Sequence, residues 1–300
     1  MALCLDRKKL TMSAIESSRV SFRESVVATS GTLFLPFCPD ALTARLCGRL
    51  GFSGGYVSGA GLGYSLALSE ALLNSRDLAD VVMGIRRRSD LPIVVDGGVG
   101  FGDAIHLQRT VWELEAAGAH AIEIEDQVAP KRASHHRGIE HLESLDVMVK
   151  KIRYAAEARR DVNCLLIART GAIQNESIDS AIRRGNAYAA AGADVVMLLA
   201  TDKHDYEIAV EKINCPIATL APFDDRSRDE WGNLGLRIVI DPQTGHAVAF
   251  AAMARAYEQQ AAGGLSGLDG PTLEKARSLF ADLTDLKNLY AIEDETVEAQ

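Results

Sequence analysis

Short apolar runs alternate with helical patterns along the whole of this 300-residue chain, and this alternation limits the fold more than any other feature. The runs are rich in Val and Ile and are apolar on both sides, which is typical of parallel strands buried on both faces. They occupy residues 32–36, 55–58, 92–96, 121–125, 163–168, 194–198, 216–220 and 237–240. Eight strands with intervening helices indicate either a closed (β/α)8 barrel or a doubly wound open sheet.

Glycine recurs where a helical pattern stops and a strand is about to start. It does so at Gly51, Gly118, Gly192 and Gly235, and glycine tolerates the left-handed backbone that ends many helices. No GxGxxG follows the first strand, which weakens the dinucleotide-binding form of the doubly wound sheet. We therefore predict an α/β fold, a (β/α)8 TIM barrel.

The predicted barrel covers residues of about 23–262 in a single domain of 1–300. The tail beyond Gly264 starts with Gly and Ser and then carries a helical pattern over 271–291. We interpret residues of about 265–300 as a helical appendage rather than a ninth barrel unit.

Composition excludes several classes of protein. A formal charge of −9 argues against a nucleic-acid surface, where clustered Lys and Arg are expected. No apolar run approaches the roughly eighteen residues of a membrane span, and no apolar segment follows the basic first residues as in a secretory leader. The five cysteines show no zinc or CxxC spacing, so we expect reduced, mostly buried thiols in a cytoplasmic protein.

Polar residues at the C-terminal strand ends are the candidate site, because active sites of such barrels lie there. Carboxylates at separate strand ends suit Mg²⁺ or Mn²⁺, and a loop of small residues can point backbone N–H groups at an anion. The residues in question are Asp40, Ser58, Gly59, Ala60, Asp96, Glu125 and Arg169.

Each of these residues also has a structural interpretation. Asp40 could cap the helix that follows it, and Asp96 could be a turn former before two glycines. Glu125 and Arg169 end apolar strands, where a charge is costly unless it is paired. Either could belong to a structural ion pair or to a functional site. The basic run that begins at Lys131 could be a solvated surface.

Five segments resemble, in order, those of the isocitrate lyase/phosphoenolpyruvate mutase superfamily, and the similarity runs from about residue 23 to 257. The segments are PDALTARL at 39–46, SGAG at 58–61, DGGVGFG at 96–102, IEDQ with PKR at 124–132, and ARTGA at 168–172. The resemblance implies a (β/α)8 barrel whose last helix swaps between subunits of a homo-oligomer, a tetramer or a dimer. It also implies a bound Mg²⁺ and an enolate formed from a small carboxylate substrate.

Roles can be carried over residue by residue. By resemblance, Asp96 would be the direct metal ligand, while Asp40 and Glu125 would hold metal-bound waters. The loop of Ser58, Gly59 and Ala60 would cradle the substrate carboxylate and oxyanion. The remaining catalytic candidates are Lys131, Arg132, His135 and Arg169, and the segment 127–137 would close over the site as a mobile gate.

Several positions depart from the family pattern. Gly98 stands where the family has a second acid, and Ala133 stands where its lyases have the Cys that protonates the leaving enolate. Ser134 replaces a Gly, Gly171 replaces an Asp, and Leu199 stands where many lyases carry a Glu. Cleavage of methylisocitrate-like substrates by the usual route is therefore not expected.

We predict a Mg²⁺-dependent enzyme that acts on a small 2-oxo or 2-hydroxy carboxylate through an enolate, as a C–C lyase or a decarboxylase. One alternative is a mutase or hydrolase that acts on the C–P bond of a phosphonate. A different class is a degenerate barrel that binds a carboxylate or a partner without catalysis.

Overall fold

A computed structural model confirms the predicted (β/α)8 barrel; it describes residues 2–28, 30–138 and 140–297. Eight parallel strands form one sheet in the order β1-β8-β7-β6-β5-β4-β3-β2. They are β1 Leu33–Pro36, β2 Gly55–Val57, β3 Ile93–Asp96, β4 Ala121–Glu125, β5 Leu165–Thr170, β6 Val195–Leu198, β7 Ile217–Leu220 and β8 Ile238–Asp241. A parallel bridge between Phe37 and Tyr56 joins the two edges. The sheet is therefore a nearly closed barrel, and the doubly wound alternative is wrong.

Helices connect the strands and follow them at the chain's end. They are α1 Ala2–Val27, α2 Ala41–Arg49, α3 Gly59–Ser65, α4 Ser75–Arg86, α5 Ala104–Ala117, α6 Leu145–Ala158, α7 Ala172–Asn175, α8 Ile178–Ala190, α9 Lys203–Lys212, α10 Arg228–Asn233, α11 Thr244–Ala261, α12 Gly270–Leu283 and α13 Leu286–Thr296. Short 3-10 helices lie at Glu70–Leu72, Ala133–Arg137 and Phe223–Asp225. Thus a helical segment lies between each strand and the next, as the sequence pattern predicts.

The four glycines predicted to end helices all adopt positive φ angles. The values are 82° at Gly51, 101° at Gly118, 114° at Gly192 and 74° at Gly235. A side chain at these positions would be strained, so this prediction is confirmed.

Strand alternation divides the side chains of the barrel into two sets. In β4, Ile122 and Ile124 point outward and pack against the helices, whereas Ala121 belongs to the interior cluster. The interior cluster also contains Leu35, Val94, Leu165, Ile167, Val195, Met197, Ala218, Ile238 and Ile240. Glu123 and Glu125 share the inward face with Ala121, so the barrel interior changes from apolar to charged towards the end of β4.

The N-terminal end of the barrel is covered by α1. Phe22 and Val26 of this helix pack into the interior cluster. The Arg19 guanidinium donates to the carbonyl oxygens of Ala119 and Glu115 at 2.9 and 2.6 Å, and it pairs with Asp161 at 3.1 Å. These contacts fix α1 to the segment that leads into β4.

The chain divides into two compact units, Met1–Gln243 and Thr244–Gln300. The second unit begins earlier than the predicted appendage, because α11 belongs to it. Helical structure is present over the predicted 271–291, but as two helices rather than one. Asp285, between α12 and α13, has a left-handed φ of 63°, which interrupts the helix. Residues 298–300 of the predicted appendage lie outside the described residues.

No helix in the described part of the chain combines the length and the apolar character that a membrane span requires. Cys38, Cys47, Cys164 and Cys215 are free thiols, and the first three are buried. This agrees with the prediction of reduced, mostly buried cysteines; the side chain of Cys4 lies outside the described residues.

Candidate active site

Five inward-facing polar side chains gather at the C-terminal ends of four neighbouring strands, β2 to β5. They are Tyr56, Asp96, Glu123, Glu125 and Arg169. Three of them are site residues that the sequence predicts. The structure brings these three together, as expected for strand ends on one rim of a parallel barrel.

Asp96 ends β3 and is 5% exposed. Its carboxylate accepts hydrogen bonds from the backbone N–H of Gly98 at 2.8 Å and of Gly59 at 3.0 Å. A Cβ at residue 59 would lie 2.9 Å from Asp96 Oδ2 and 3.0 Å from Glu70 Oε2, so only glycine lets both carboxylates approach. Burial raises the pKa of Asp96, and the neighbouring Glu125 adds to this effect.

Glu123 lies two residues before Glu125 and is fully buried. It accepts a hydrogen bond of 2.6 Å from the Tyr56 hydroxyl, and Arg169 Nη1 lies 3.3 Å from its other oxygen. Burial, together with the nearby charge of Asp96, raises the pKa of Glu123 to about 8. Burial therefore favours the protonated form of this carboxyl group.

Glu125 ends β4 between two cations. Lys131 Nζ lies 2.7 Å from its Oε1, and Arg169 Nη1 lies 3.5 Å from its Oε2. Burial alone would raise the pKa of Glu125, but these two cations hold it below its usual value. The same ammonium lies 3.0 Å from Glu70 Oε2, and these acids hold the pKa of Lys131 above its usual value despite burial. Glu125 is therefore ionised.

The loop after β4 folds over the site from a paired stem. Val128 N–H donates to the His141 carbonyl, and Glu143 N–H donates to the Asp126 carbonyl, each at 2.8 Å. At the far end of the loop, the His135 ring hydrogen-bonds to Glu70. The loop thus rests against the 3-10 turn that carries Glu70; its predicted mobility stays a prediction.

The other loop candidates are placed differently. The Arg132 side chain is exposed, and Ala133, where the family pattern has Cys, is also exposed.

Gly98 has a φ of 54°, and no atom lies within 4 Å of the position that its Cβ would take. The space for a second acid is therefore open.

The segment of Ser58, Gly59 and Ala60 begins α3. The buried Ser58 hydroxyl accepts from Gly61 N–H at 3.1 Å, which caps the helix. Asp40 is exposed and accepts from Thr43 N–H at 2.8 Å. Asp40 therefore caps α2. This is the structural interpretation that the sequence allowed for this residue. Its predicted role at metal-bound waters stays a prediction.

A cavity of about 250 Å³ opens beside the acids. Its lining includes Gly59, Glu70, Asp96, Gly98 and Lys131. This volume suits a small organic acid rather than a nucleotide or a polymer.

Two of the five gathered side chains, Tyr56 and Glu123, and the adjoining Glu70 were not predicted from the sequence. Glu123 could have been found, because residues two apart in a strand share a face. Tyr56 has the same signal two strands earlier, since it precedes Ser58 by two residues. Glu70 lies in a short 3-10 turn. No periodic pattern in the sequence predicts that such a turn lies beside the C-terminal strand ends of the barrel.

The donor atoms fit a hard divalent cation. Glu70, Asp96, Glu123 and Glu125 face two cations, Lys131 and Arg169, among the described residues, and carboxylate oxygens are the ligands that Mg²⁺ prefers. Glu125 Oε1 is buried, and the Lys131 ammonium lies 2.7 Å from it. No three described His, Cys, Asp or Glu side chains form a complete metal cluster. Binding would therefore require the acids and Lys131 to rearrange locally.

Known proteins are similar to this chain in sequence. A family model described as phosphoenolpyruvate phosphomutase matches residues 22–261. A 2-methylisocitrate lyase from Aeropyrum pernix is 40% identical over 207 residues, which are 67% of this chain and 66% of that protein. A 2,3-dimethylmalate lyase from Eubacterium barkeri is 34% identical over 238 residues, 76% of this chain and 81% of that protein.

A solved structure shows the same architecture. The phosphoenolpyruvate phosphomutase from Streptomyces platensis subsp. rosaceus superposes with a TM-score of 0.82 at 27% identity. The match covers 93% of this chain and 99% of the other. Relatives named as lyases and a solved structure named as a phosphomutase are thus all similar to this chain.

Proposed function

Because the chain belongs to the phosphoenolpyruvate phosphomutase family, within the isocitrate lyase/phosphoenolpyruvate mutase superfamily, we propose that it is a Mg²⁺-dependent carbon–carbon lyase. Its substrate would be a small 2-oxo or 2-hydroxy carboxylate that fits the cavity beside Asp96. The observation that carries the proposal is the group of buried acids at the ends of β3 and β4, opposite the guanidinium of Arg169. The two similar lyases support the same reaction class.

Asp96, Glu125 and Glu70 would hold the cation. A divalent cation at this point supplies Lewis-acid stabilisation to an enolate oxygen. Mn²⁺ has the same preference for oxygen ligands and would serve as a substitute. The protein supplies the fixed orientation, because backbone N–H groups at Gly59 and Gly98 hold the Asp96 carboxylate in place.

Arg169 and Lys131 would bind the anionic parts of the substrate. Arg169 presents a planar fork that suits a carboxylate, and its Nη1 lies 3.3 Å from Glu123 and 3.5 Å from Glu125. Lys131 lies on the loop that borders the cavity, and His135 and Arg132 belong to the same loop. Closure of this loop would exclude water from the developing charge.

Ala133 favours a second candidate function. A thiol at this position delivers the proton to the enolate in the lyases that the sequence resembles, and alanine cannot do so. A mutase or hydrolase that acts on a C–P bond does not need that thiol, and the similar phosphomutase structure supports this alternative.

One panel of assays tests the choice. Isocitrate, 2-methylisocitrate, substituted malates, oxaloacetate and phosphonopyruvate should each be assayed with Mg²⁺, for the wild type and for Ala133→Cys. We expect little wild-type cleavage of isocitrate or 2-methylisocitrate, and an increase of about 10²–10⁴-fold in the variant, since general acid catalysis has this magnitude. Ala133→Ser is the matched control, because a hydroxyl is a much weaker acid.

Other outcomes are equally informative. Vigorous wild-type cleavage of 2-methylisocitrate would show that a thiol at residue 133 is not needed. Turnover of phosphonopyruvate alone would select C–P chemistry. No turnover of any compound, with no binding of Mg²⁺ or of oxalate, would favour the non-catalytic barrel.

We further propose a homo-oligomer, a tetramer or a dimer. The unit Thr244–Gln300 exposes large apolar side chains, among them Val248, Phe250, Tyr257 and Phe280, each at least 52% exposed. A second copy of the chain would remove them from water. Light scattering after size-exclusion chromatography measures the mass, and a monomer at micromolar concentration would contradict this proposal.

A further inference from the structure

Residue 171 has no side chain, and the carboxylate of Glu140 occupies the space that one would take. A Cβ at Gly171 would overlap Glu140 Oε2 and would also lie 3.2 Å from the side chains of Asn175 and Leu142. The φ of Gly171 is −83°, which any residue can adopt. A side chain at residue 171 would therefore displace the Glu140 carboxylate, and the constraint is one of space and not of backbone conformation.

The Glu140 carboxylate bridges the loops after two neighbouring strands. Its Oε1 accepts a hydrogen bond of 2.9 Å from Gln127 Nε2, in the loop after β4. Its Oε2 accepts one of 3.1 Å from Asn175 Nδ2, which follows β5 and also donates to the Gly171 carbonyl at 2.8 Å. Each oxygen thus has a separate amide donor.

Gln127 connects this carboxylate to the acid cluster. Its side chain is buried, and the same Nε2 that donates to Glu140 lies 3.3 Å from Glu125 Oε2. Its backbone is held in the stem of the loop, where it forms an antiparallel bridge with Leu142. The amide can therefore rotate only about its side-chain bonds, and Glu140 is the stronger of its two acceptors by distance.

We propose that Glu140 is a positioning residue of the active site, which holds the Gln127 amide against Glu125, and that the absence of a side chain at Gly171 leaves room for Glu140. The Asp expected at residue 171 from the family pattern would occupy this space. In this chain a carboxylate from the loop after β4 takes its place. The inference rests on the proposed function in one respect, that Glu125 is a residue that holds the cation.

Three variants test the geometry through the binding of Mn²⁺ in the presence of oxalate. Glu140→Ala removes the carboxylate, and Gly171→Ala displaces it without changing its charge. Each should weaken Mn²⁺ binding about tenfold, the lower end of the effect typical of residues that orient metal ligands. The double variant should be no weaker than either single one, because the two changes break the same contact. Binding is measured by titration with electron paramagnetic resonance, below the unfolding temperature of every variant.

Two controls separate positioning from general damage. Gly48→Ala adds a methyl group where no atom lies within 4 Å, and it should leave Mn²⁺ binding unchanged. Glu140→Gln keeps one oxygen that can accept from Gln127, so it should retain most of the affinity. A loss in Glu140→Gln as large as in Glu140→Ala would overturn the assignment, since it would show that the charge and not the hydrogen bond is required.

A double-mutant cycle on thermal stability tests the contact between Glu140 and Gln127 without a metal. Thermal unfolding of Glu140→Ala, Gln127→Ala and the double variant should show non-additive losses, as for residues in direct contact. Additive losses would overturn the inference. If the wild type binds no Mn²⁺, the proposed function fails, and the unfolding cycle still decides whether Glu140 holds Gln127.

Discussion

At the N-terminal end of the barrel, Arg19 meets two carbonyl oxygens and Asp161, and His120 is neutral between two partners. At the C-terminal end, the acidic side chains of Glu70, Glu123 and Glu125 face Lys131 and Arg169, and Asp96 lies beside them. At the first end, Arg19 and His120 are matched to fixed partners within the protein. At the second end, acidic side chains outnumber the two cations that they face.

Burial of polar side chains has a different consequence at each end of the barrel. His120 Nδ1 accepts from Ile93 N–H at 3.1 Å, and Nε2 lies 3.0 Å from the Ser18 hydroxyl. These contacts suit only the neutral ring, so burial here stabilises the fold. Burial of Asp96 and Glu123 instead raises the pKa of each carboxyl group. The C-terminal end therefore buries acids whose charged form is disfavoured, which is common at functional sites.

Removal of Asp96 should have the largest effect. Asp96→Ala deletes the acid that backbone N–H groups orient at the centre of the site, and we expect no measurable binding of Mg²⁺ or Mn²⁺ by calorimetry. Asp103→Ala, which removes an exposed helix cap, is the matched control and should bind as the wild type does. If Asp96→Ala bound the metal unchanged, Asp96 would not be a ligand.

Arg19→Ala should destabilise the N-terminal end of the barrel without affecting the candidate active site. It removes three contacts of a buried guanidinium, and a hydrogen bond to a charged group typically contributes about 1.5–3 kcal/mol. Denaturant unfolding measures this loss, while Mn²⁺ affinity should not change. Arg76→Ala, which removes an exposed pair with Asp80, should cost less than about 1 kcal/mol. A parallel loss of metal binding in Arg19→Ala would contradict the separation of the two ends.

Gly98→Asp should increase the difference in acidic character between the two ends of the barrel. The position is open, and aspartate tolerates a left-handed backbone better than most residues. A second acid beside Asp96 could orient metal-bound water, so we expect Mn²⁺ to bind about tenfold more tightly. Gly98→Asn has similar shape and no charge, and it should give little gain. Equal gains in both variants would attribute the effect to the backbone and not to the carboxylate.

The two ends should also give opposite slopes of stability with pH. The pKa of Glu123 is about 8 in the folded protein against an ordinary 4.5. Between these values the folded state holds a proton that the unfolded state has released, so the free energy of unfolding falls as pH rises. The slope cannot exceed about 1.4 kcal/mol per pH unit. Glu123→Gln, which cannot titrate, should lack this loss in metal-free unfolding experiments.

His120 should act in the reverse direction. Burial lowers its pKa to about 3 from an ordinary 6.5, so below pH 6.5 the unfolded state takes up a proton that the folded state refuses. The free energy of unfolding should therefore fall as pH falls from about 6.5 to 3. His120→Asn keeps an acceptor for Ile93 N–H and should reduce this acid slope. An unchanged slope would mean that other groups dominate acid unfolding.

Sequence patterns predicted the barrel well, because its strands are continuous runs of Val and Ile. The predicted strand 121–125 coincides with β4, and the others agree within about two residues. The patterns also predicted that Asp96, Glu125 and Arg169 would meet. Strand ends meet by topology, so this requires no knowledge of side-chain packing.

What the sequence did not predict depends on contacts between irregular segments. Glu70 reaches the site from a 3-10 turn, and its partner Lys131 comes from a loop 61 residues later. Glu140 fills the space left at Gly171 from another loop, and neither residue signals the other. The break between α12 and α13 at Asp285 likewise has no glycine or proline to mark it.

The stem of the loop after β4 has a consequence for how this protein can change. Because residues 126–128 pair with 141–143, the segment 129–140 starts and ends at nearly the same place. Its residues can be replaced as a cassette without moving β4 or α6, and a new substrate range could arise there. Such a replacement must keep residues 140 and 171 compatible. If the new segment has a different residue 140, residue 171 must be changed to match it.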